Sequence, residues 1–109
     1  MRAFQRGYIW LVNFYPSFGH EYQKVRPALI IQDEKYITSS QLLTVIPISS
    51  QISKFTELDI LLKKDSINRL MKDSLVKIKQ ISSFDRFIKL IGVVNHQTLE
   101  HLQLFLFGQ

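Results

Sequence analysis

Residues 18–32 read FGHEYQKVRPALIIQ, a polar segment that leads directly into an apolar run. The apolar part, residues 28–32, is too short for a helix in this context and predicts a buried strand. Ahead of it stand a glycine, a histidine, a glutamate and two cations, and the segment ends with Arg26-Pro27. A loop that only joins two strands has no need of these groups. A loop that handles a phosphate does.

Strand-like segments surround this stretch. Residues 8–15 (YIWLVNFY) are aromatic and β-branched, and turn-forming residues follow them. Tyr8, Trp10 and Phe14 share one face of that strand, which is more often core or dimer interface than a base-stacking surface. Pro47 predicts an edge or a bulge in its strand. The six predicted strands cover residues 8–15, 28–32, 42–48, 55–62, 75–81 and 87–94.

The remaining segments are less regular. Residues 63–73 mix helical spacing with loop-like charges and stay ambiguous, and residues 82–86 fit one helical turn. Asn95 is a predicted N-cap, and Gly108 a predicted end, of a helix with an apolar stripe of Leu99, Leu102 and Leu106. Short strands followed by one C-terminal helix predict an α+β domain, residues 1–109, with a curled antiparallel sheet.

Composition limits the chemistry. With 109 residues and 46% apolar side chains the chain can bury one modest core, which makes a homodimer an expectation. The absence of cysteine excludes disulfides, thiolate metal sites and a cysteine nucleophile. Three scattered histidines form no metal-ligand set, so neither a metal nor a cofactor is expected. No signal peptide and no membrane span are predicted.

The net charge of +5 favours a polyanionic partner, such as nucleic acid, an acidic protein or an anionic surface. Solubility alone also accounts for a basic chain of this size.

The whole chain resembles the PemK/MazF-like family of bacterial toxins, on the PemK side. The residues that carry the resemblance are 6–12 (RGYIWLV), Pro16, 19–21 (GHE), 26–31 (RPALII), 45–50 (VIPISS) and 72–74 (KDS). The resemblance implies an SH3-like, partly closed antiparallel β-barrel of the CcdB/MazF type with a C-terminal α-helix. It also implies a cytoplasmic homodimer that inhibits translation and growth by metal-independent cleavage of single-stranded RNA. Family members are neutralised by a cognate antitoxin whose disordered tail folds onto the toxin.

Cleavage without a metal uses the 2′-OH of the RNA as nucleophile and yields a 2′,3′-cyclic phosphate and a 5′-OH. It needs a proton acceptor, a proton donor and cationic groups near the phosphorus. Arg26 matches the family's active-site arginine, and Ser49 stands where the family usually has threonine. His20 and Glu21 supply titratable groups beside them. The structural alternatives are an Arg26–Glu21 pair that locks the loop, an exposed loop histidine, and a serine that bonds its own backbone.

RNA binding is expected to involve further residues. A loop phenylalanine, Phe18, is a candidate base platform, although it can also fold onto the core. Ser50, in the VIPISS stretch, is another candidate RNA-binding residue. The candidate phosphate contacts are Lys24, Lys54, Lys77 and Lys79, each of which can equally be a solvated surface charge.

Two of these lysines depart from the family pattern. The PemK branch has an arginine and an aspartate where this chain has Lys77 and Lys79, and strand alternation places both lysines on one face. This change favours either tighter RNA binding or a loss of catalysis. Two alternatives to a ribonuclease stay open. One is a catalytically impaired RNA-binding relative, and the other is a gyrase-directed toxin of the same fold, because a fold does not fix the function. The Gly-His-Glu and Arg26-Pro27 motifs favour the RNA-cleaving side.

Overall fold

The backbone forms a set of short strands followed by a helix. The computed structural model describes residues 4–14, 25–33, 37 and 42–107. Short 3-10 turns cover Ile52–Lys54 and Ile78–Gln80. The strands and the helix are β1 (Tyr8–Asn13), β2 (Val25–Ile30), β3 (Leu43–Ser49), β4 (Asp59–Leu62), β5 (Ser74–Lys77), β6 (Ser82–Phe84), β7 (Phe87–Val93) and α1 (His96–Phe107).

The strands form one antiparallel sheet in the order β4-β5-β3-β2-β1-β7, and β6 pairs with β3 beside this path. Among the described residues, the two edge strands β4 and β7 are not paired with each other, so the sheet is open. The loop after β4 nevertheless reaches the other edge, because the Val93 N–H donates to the Ile67 carbonyl at 3.1 Å. The prediction of an α+β fold with an antiparallel sheet and a C-terminal helix is therefore confirmed.

Both faces of the central strands are buried. Ile9, Leu29 and Ile46 belong to one apolar cluster, whereas Ala28 and Val45 belong to a second. Side chains alternate between the two faces of a strand, so a strand that is covered on both sides must be apolar at every position. This requirement explains the uninterrupted run that follows Arg26.

The aromatic residues of β1 and its flanks also pack as expected. Phe14 is buried and meets Phe84 edge-to-face at 4.6 Å. Trp10 stacks on Phe4 at 4.5 Å and packs against the second cluster, as does Tyr8.

The helix covers the first apolar cluster. The Asn95 carboxamide accepts a hydrogen bond from the Thr98 N–H at 2.7 Å, so the predicted N-cap is confirmed. Leu102 is buried in the cluster, and Leu99 and Leu106 pack against it, as the apolar stripe predicts. The predicted end at Gly108 lies outside the described residues.

Gly7 joins three elements ahead of β1. Its φ of 93° lies in a region that side chains with a Cβ rarely adopt. Its N–H donates to the Ile30 carbonyl at 2.8 Å, and its carbonyl accepts from the Val94 N–H at 2.9 Å. This turn therefore ties the end of β2 to the segment that follows β7.

Several segments differ from their predictions. The strand predicted at residues 55–62 begins only at Asp59, and the strand predicted at residues 28–32 begins at Val25, so Arg26 and Pro27 lie in β2 rather than in the loop.

The alternating residues 75–81 do not form one strand, because β5 ends at Lys77 and the 3-10 turn Ile78–Gln80 follows. Residues 82–84 form β6 rather than a helical turn. Both β5 and β6 pair with β3, β5 at its end and β6 at its start.

Pro47 offers a physical reason for this break. It lies between the two parts of β3 that pair with β5 and β6, and a proline has no N–H to donate to a ladder. Pro47 is buried in a central strand, opposite Ala28 of β2. It marks an interruption of the ladder and not an edge strand.

Candidate functional site

A cleft of about 710 Å³ opens beside the start of β2. Its described lining combines apolar side chains with four cations and includes no carboxylate. We call this feature the cleft. The residues that line it are Leu11, Val25, Arg26, Pro27, Ile48, Ser50, Arg69, Leu70, Met71, Lys72, Ser74, Lys89, Leu90 and Ile91.

Arg26 lines the cleft from a strand in the middle of the sheet. It lies in β2, in register with Val12 of β1, and its side chain is half-buried. The Nε and Nη1 atoms of its guanidinium are buried. Pro27 follows it and fixes one backbone angle. The sheet therefore restricts where the guanidinium of the family-matching arginine can lie.

The loop at residues 63–73 forms another wall of the cleft, and Asn68 organises it. This side chain is buried, and its Oδ1 accepts the N–H groups of Asp65 and Leu70, each at 3.0 Å. Its Nδ2 donates to the Lys63 carbonyl at 2.8 Å. One asparagine therefore holds backbone groups on both sides of itself.

The same loop is fixed to β7. Gly92 of β7 lies directly under the loop, and a Cβ at that position would lie 2.2 Å from the Asn68 carbonyl oxygen. Only glycine permits this close approach. Asp73 closes the loop at its base, where its Oδ1 accepts the Lys64 N–H at 2.9 Å. The loop is thus held by side-chain caps and by contact with a strand distant in sequence.

Three cations of the cleft were missed by the sequence analysis as candidate site residues. Arg69 and Lys72 come from the loop, and Lys89 comes from β7; all three are exposed. Together with Arg26 they face a cleft whose described lining carries no negative charge. Such an arrangement concentrates positive potential and attracts polyanions. The only sequence signal was the KDS motif, which begins with Lys72, because nothing local places residues 69 and 89 beside Arg26.

Ser49 and Ser50 occupy different positions. Ser50 is exposed and lines the cleft. Ser49 is 6% exposed and is not among the lining residues, and its Oγ accepts the Gln51 N–H at 3.2 Å. This contact is the local backbone bond that the sequence analysis gave as the structural alternative for Ser49.

Lys77 forms an ion pair with Asp59. Its Nζ lies 2.9 Å from Oδ2 of Asp59, directly across the β4–β5 ladder. The same oxygen accepts the Thr56 N–H at 2.9 Å and the Thr56 hydroxyl at 3.2 Å. Burial by itself raises the pKa of Asp59, but these hydrogen bonds and the Lys77 charge outweigh it and hold the pKa below its usual value. Lys77 therefore has a structural partner.

The other predicted lysines lie elsewhere. Lys79 is exposed in the 3-10 turn after β5, so it does not share a strand face with Lys77 as the alternation predicted. The reason is the end of β5 at Lys77. Lys54 is exposed at the end of the 3-10 turn after β3, and neither Lys54 nor Lys79 lines the cleft. The remaining predicted site residues, Phe18, His20, Glu21 and Lys24, lie outside the described residues.

Two features are absent from the residues that the structure describes, a cluster of metal-ligating side chains and a helix that could span a membrane. In these parts of the chain no three His, Cys, Asp or Glu side chains come close enough to hold a metal ion. No described helix has the length and apolar character needed to span a membrane.

Comparison with known proteins gives consistent results. A family model for the PemK-like, MazF-like toxin of type II toxin–antitoxin systems matches residues 5–106. The chain is 30% identical over 105 residues to endoribonuclease MazF9 of Mycobacterium tuberculosis, a match that covers 90% of this chain and 88% of that protein.

Solved structures agree on the fold. MazF from Deinococcus radiodurans superimposes with a TM-score of 0.78 over 100% of both chains, at 22% identity. An endoribonuclease in complex with its cognate antitoxin, from a mycobacterial species, gives a TM-score of 0.71 at 14% identity, over 99% of this chain and 93% of that one. Since the family model covers nearly the whole sequence, the chain belongs to the PemK-like, MazF-like toxin family of type II toxin–antitoxin systems.

Proposed function

We propose that this protein is the toxin of a toxin–antitoxin pair and a metal-independent, sequence-specific endoribonuclease. Its substrate is single-stranded RNA, chiefly mRNA, and its cleavage inhibits translation and growth. Family membership and the similarity to a mycobacterial endoribonuclease support the activity. The observation that carries the proposal is the placement of Arg26, the residue that matches the family's active-site arginine, in a cleft whose described lining holds four cations and no acid.

The proposed reaction is an internal transesterification. The 2′-oxygen of one ribose attacks the adjacent phosphorus, the bond to the 5′-oxygen breaks, and the products carry a 2′,3′-cyclic phosphate and a 5′-OH. Negative charge grows on the non-bridging oxygens as the phosphorane forms, and catalysis needs cationic groups where this charge develops. The planar guanidinium of Arg26 suits two of these oxygens, and its partial burial strengthens the interaction. A guanidinium hardly releases a proton, so Arg26 stabilises charge and does not act as an acid.

The proton transfers need other groups. We assign them to His20 and Glu21, which precede β2 in the sequence; a histidine titrates in the range that general acid–base catalysis requires. We assign hydroxyl donors to Ser50, which lines the cleft, and to Ser49 behind it. A serine Oγ that accepts one hydrogen bond still has its own proton to donate, so the bond from Gln51 leaves this role open to Ser49.

The wider RNA path is proposed to run over further residues. Phe18 supplies a stacking surface, and Lys24, Lys54 and Lys79 add long-range attraction. Lys77 contributes less than these, because the ion pair with Asp59 already neutralises its charge.

The assembly is part of the proposal. We propose a cytoplasmic protein, since mRNA is its substrate, with residues 1–109 as one domain. A partly closed SH3-like barrel is supported by the bond from Val93 to Ile67, which links the two edges of the open sheet. A homodimer is supported by exposed apolar side chains such as Phe55 and Ile88. A cognate antitoxin is supported by the antitoxin-bound structure of similar fold.

Variants of Arg26 test this function. The purified protein is incubated with a short single-stranded RNA substrate, beside Arg26→Ala and Arg26→Lys, and thermal melting verifies that each variant folds. We expect Arg26→Ala to lose about 10²–10³-fold in cleavage rate and Arg26→Lys to recover only part of it, since an ammonium lacks the fork. RNA that is bound but never cut by the unmodified protein would favour the catalytically impaired relative. Inhibition of gyrase without RNA cleavage would favour the gyrase-directed toxin.

A further inference from the structure

Arg69 has an unusual backbone. Its φ of 58° places it in the left-handed region, and in the described part of the chain no other residue except a glycine has a positive φ. A side chain with a Cβ disfavours this region, because the Cβ crowds the neighbouring carbonyl. Glycine or asparagine would fit the same backbone with less strain, yet the chain has arginine here.

The surrounding loop enforces this conformation. The Arg69 N–H donates to the Asp65 carbonyl at 3.0 Å. The residues on both sides are fixed as well, since Oδ1 of Asn68 accepts the Leu70 N–H and the carbonyl of Asn68 packs on Gly92. Strain that neighbouring contacts enforce is found mostly at functional sites.

The strained residue contributes charge to the cleft. Arg69 lines it together with Lys72 and Lys89, and its side chain makes no hydrogen bond or ion pair with any residue that the structure describes. Three cations therefore meet beside Arg26 with no carboxylate in the described lining, an arrangement that an anionic ligand stabilises.

We propose that Arg69, assisted by Lys72 and Lys89, forms a phosphate subsite for RNA next to the scissile phosphate at Arg26. The inference rests on the proposed ribonuclease function and adds a binding residue to it. A phosphodiester oxygen is the ligand that fits best, since the guanidinium fork binds it through two hydrogen bonds. The left-handed backbone turns residue 69 toward the cleft at a cost in stability.

Two variants at Arg69 test strain and binding, which are measured separately. Arg69→Gly and Arg69→Asn both tolerate the left-handed backbone and both remove the charge. Lys64→Gln is the matched control, because it removes one exposed charge from the same loop but does not line the cleft. Thermal melting measures the strain. Fluorescence anisotropy with a 2′-O-methyl RNA oligonucleotide, which lacks the nucleophile and stays intact, measures affinity over a range of salt concentrations.

We expect the melting temperature of Arg69→Gly to rise by about 4 °C, as the strain is relieved. Its affinity should fall about tenfold, and the slope of log K against log salt should become shallower by about 0.7, the value for one lost phosphate contact on a single strand. Arg69→Asn should show the same changes in melting temperature, affinity and salt slope. Lys64→Gln should show none of them.

Three results would overturn the inference. A melting temperature that falls in both variants would show that the backbone of Arg69 is not strained. Unchanged affinity and salt slope, in a protein that binds and cleaves RNA, would remove the subsite and leave the proposed function standing. Failure of the unmodified protein to bind the oligonucleotide and to cut RNA would reject both.

Discussion

Gly92→Ala tests how the loop at residues 63–73 is held over the cleft. The added Cβ would lie 2.2 Å from the Asn68 carbonyl oxygen and 2.7 Å from that of Ile67. Ordinary contacts between heavy atoms lie near 3.5 Å, so the loop would have to recede by more than about 1 Å. Both contacts are with backbone atoms, which cannot rotate away as a side chain can.

The expected cost comes from two sources. Forcing an extra methyl group into a packed site costs about 1–3 kcal/mol. The hydrogen bond from Val93 to Ile67 stretches or breaks, which costs about 1 kcal/mol more. We therefore expect the free energy of unfolding to fall by about 2–4 kcal/mol. A domain of ordinary stability, about 5–15 kcal/mol, stays folded after such a loss.

The matched control is Gly7→Ala. Its added Cβ meets only side-chain atoms, of Leu99 at 3.4 Å and of Val94 at 3.6 Å, but the φ of 93° strains the alanine by about 1–3 kcal/mol. Gly7 does not line the cleft, so this variant loses stability without moving the loop.

Urea unfolding measures both free energies, and RNA cleavage is followed in the absence of urea, where both variants are folded. Gly92→Ala should cleave at least tenfold more slowly than Gly7→Ala, because the loop carries Arg69 and Lys72. A Gly92→Ala protein with the unfolding midpoint of the unmodified protein, or with the activity of Gly7→Ala, would refute the reasoning.

Further predictions concern the ion pair and the helix. Lys77→Met should lower the free energy of unfolding by about 1.5–3 kcal/mol, because Asp59 keeps a buried carboxylate without its cation. Urea unfolding measures this loss, and the control variant Lys79→Met should change the same free energy by less than about 0.5 kcal/mol. The pKa of Asp59 is lowered in the folded protein, so its carboxylate stabilises the fold fully at every pH above the ordinary pKa of an aspartate. This stabilisation is lost as the pH falls through the lowered pKa. The stability difference between the protein and Asp59→Asn, measured by urea unfolding, should be constant above about pH 5 and shrink below about pH 4; a difference that stays constant to lower pH would contradict this. Asn95→Ala should cost about 1 kcal/mol by loss of the cap to Thr98 and leave RNA cleavage unchanged, and an Asn95→Asp variant should retain most of the stability.

Patterns local in sequence predicted the fold well. The apolar run after Arg26, the aromatic and β-branched residues of β1 and the cap at Asn95 depend on neighbours a few residues away, and the two strands and the cap are present in the structure. The break between β5 and β6 was not predicted, because it lies opposite Pro47 on a strand distant in sequence.

The candidate site was predicted less completely for the same reason. Arg26 and Ser50 were found through the family resemblance, and both line the cleft. Arg69 and Lys89 were missed, since the position of Arg69 depends on the contact of the loop with Gly92 and that of Lys89 on the pairing of β7 with β1. The pair of Lys77 with Asp59 depends on the register of two strands, which no local pattern reveals.

The central claim is that the protein cleaves RNA without a metal and through Arg26. The most direct measurement incubates the protein with a long, mixed-sequence RNA in EDTA, beside Arg26→Ala, and maps both ends of every fragment. We predict cuts at a defined sequence, with 2′,3′-cyclic phosphate and 5′-OH ends, that are absent with Arg26→Ala. Intact RNA, cuts that require a divalent ion, or the same fragments from the Arg26→Ala variant would contradict the account.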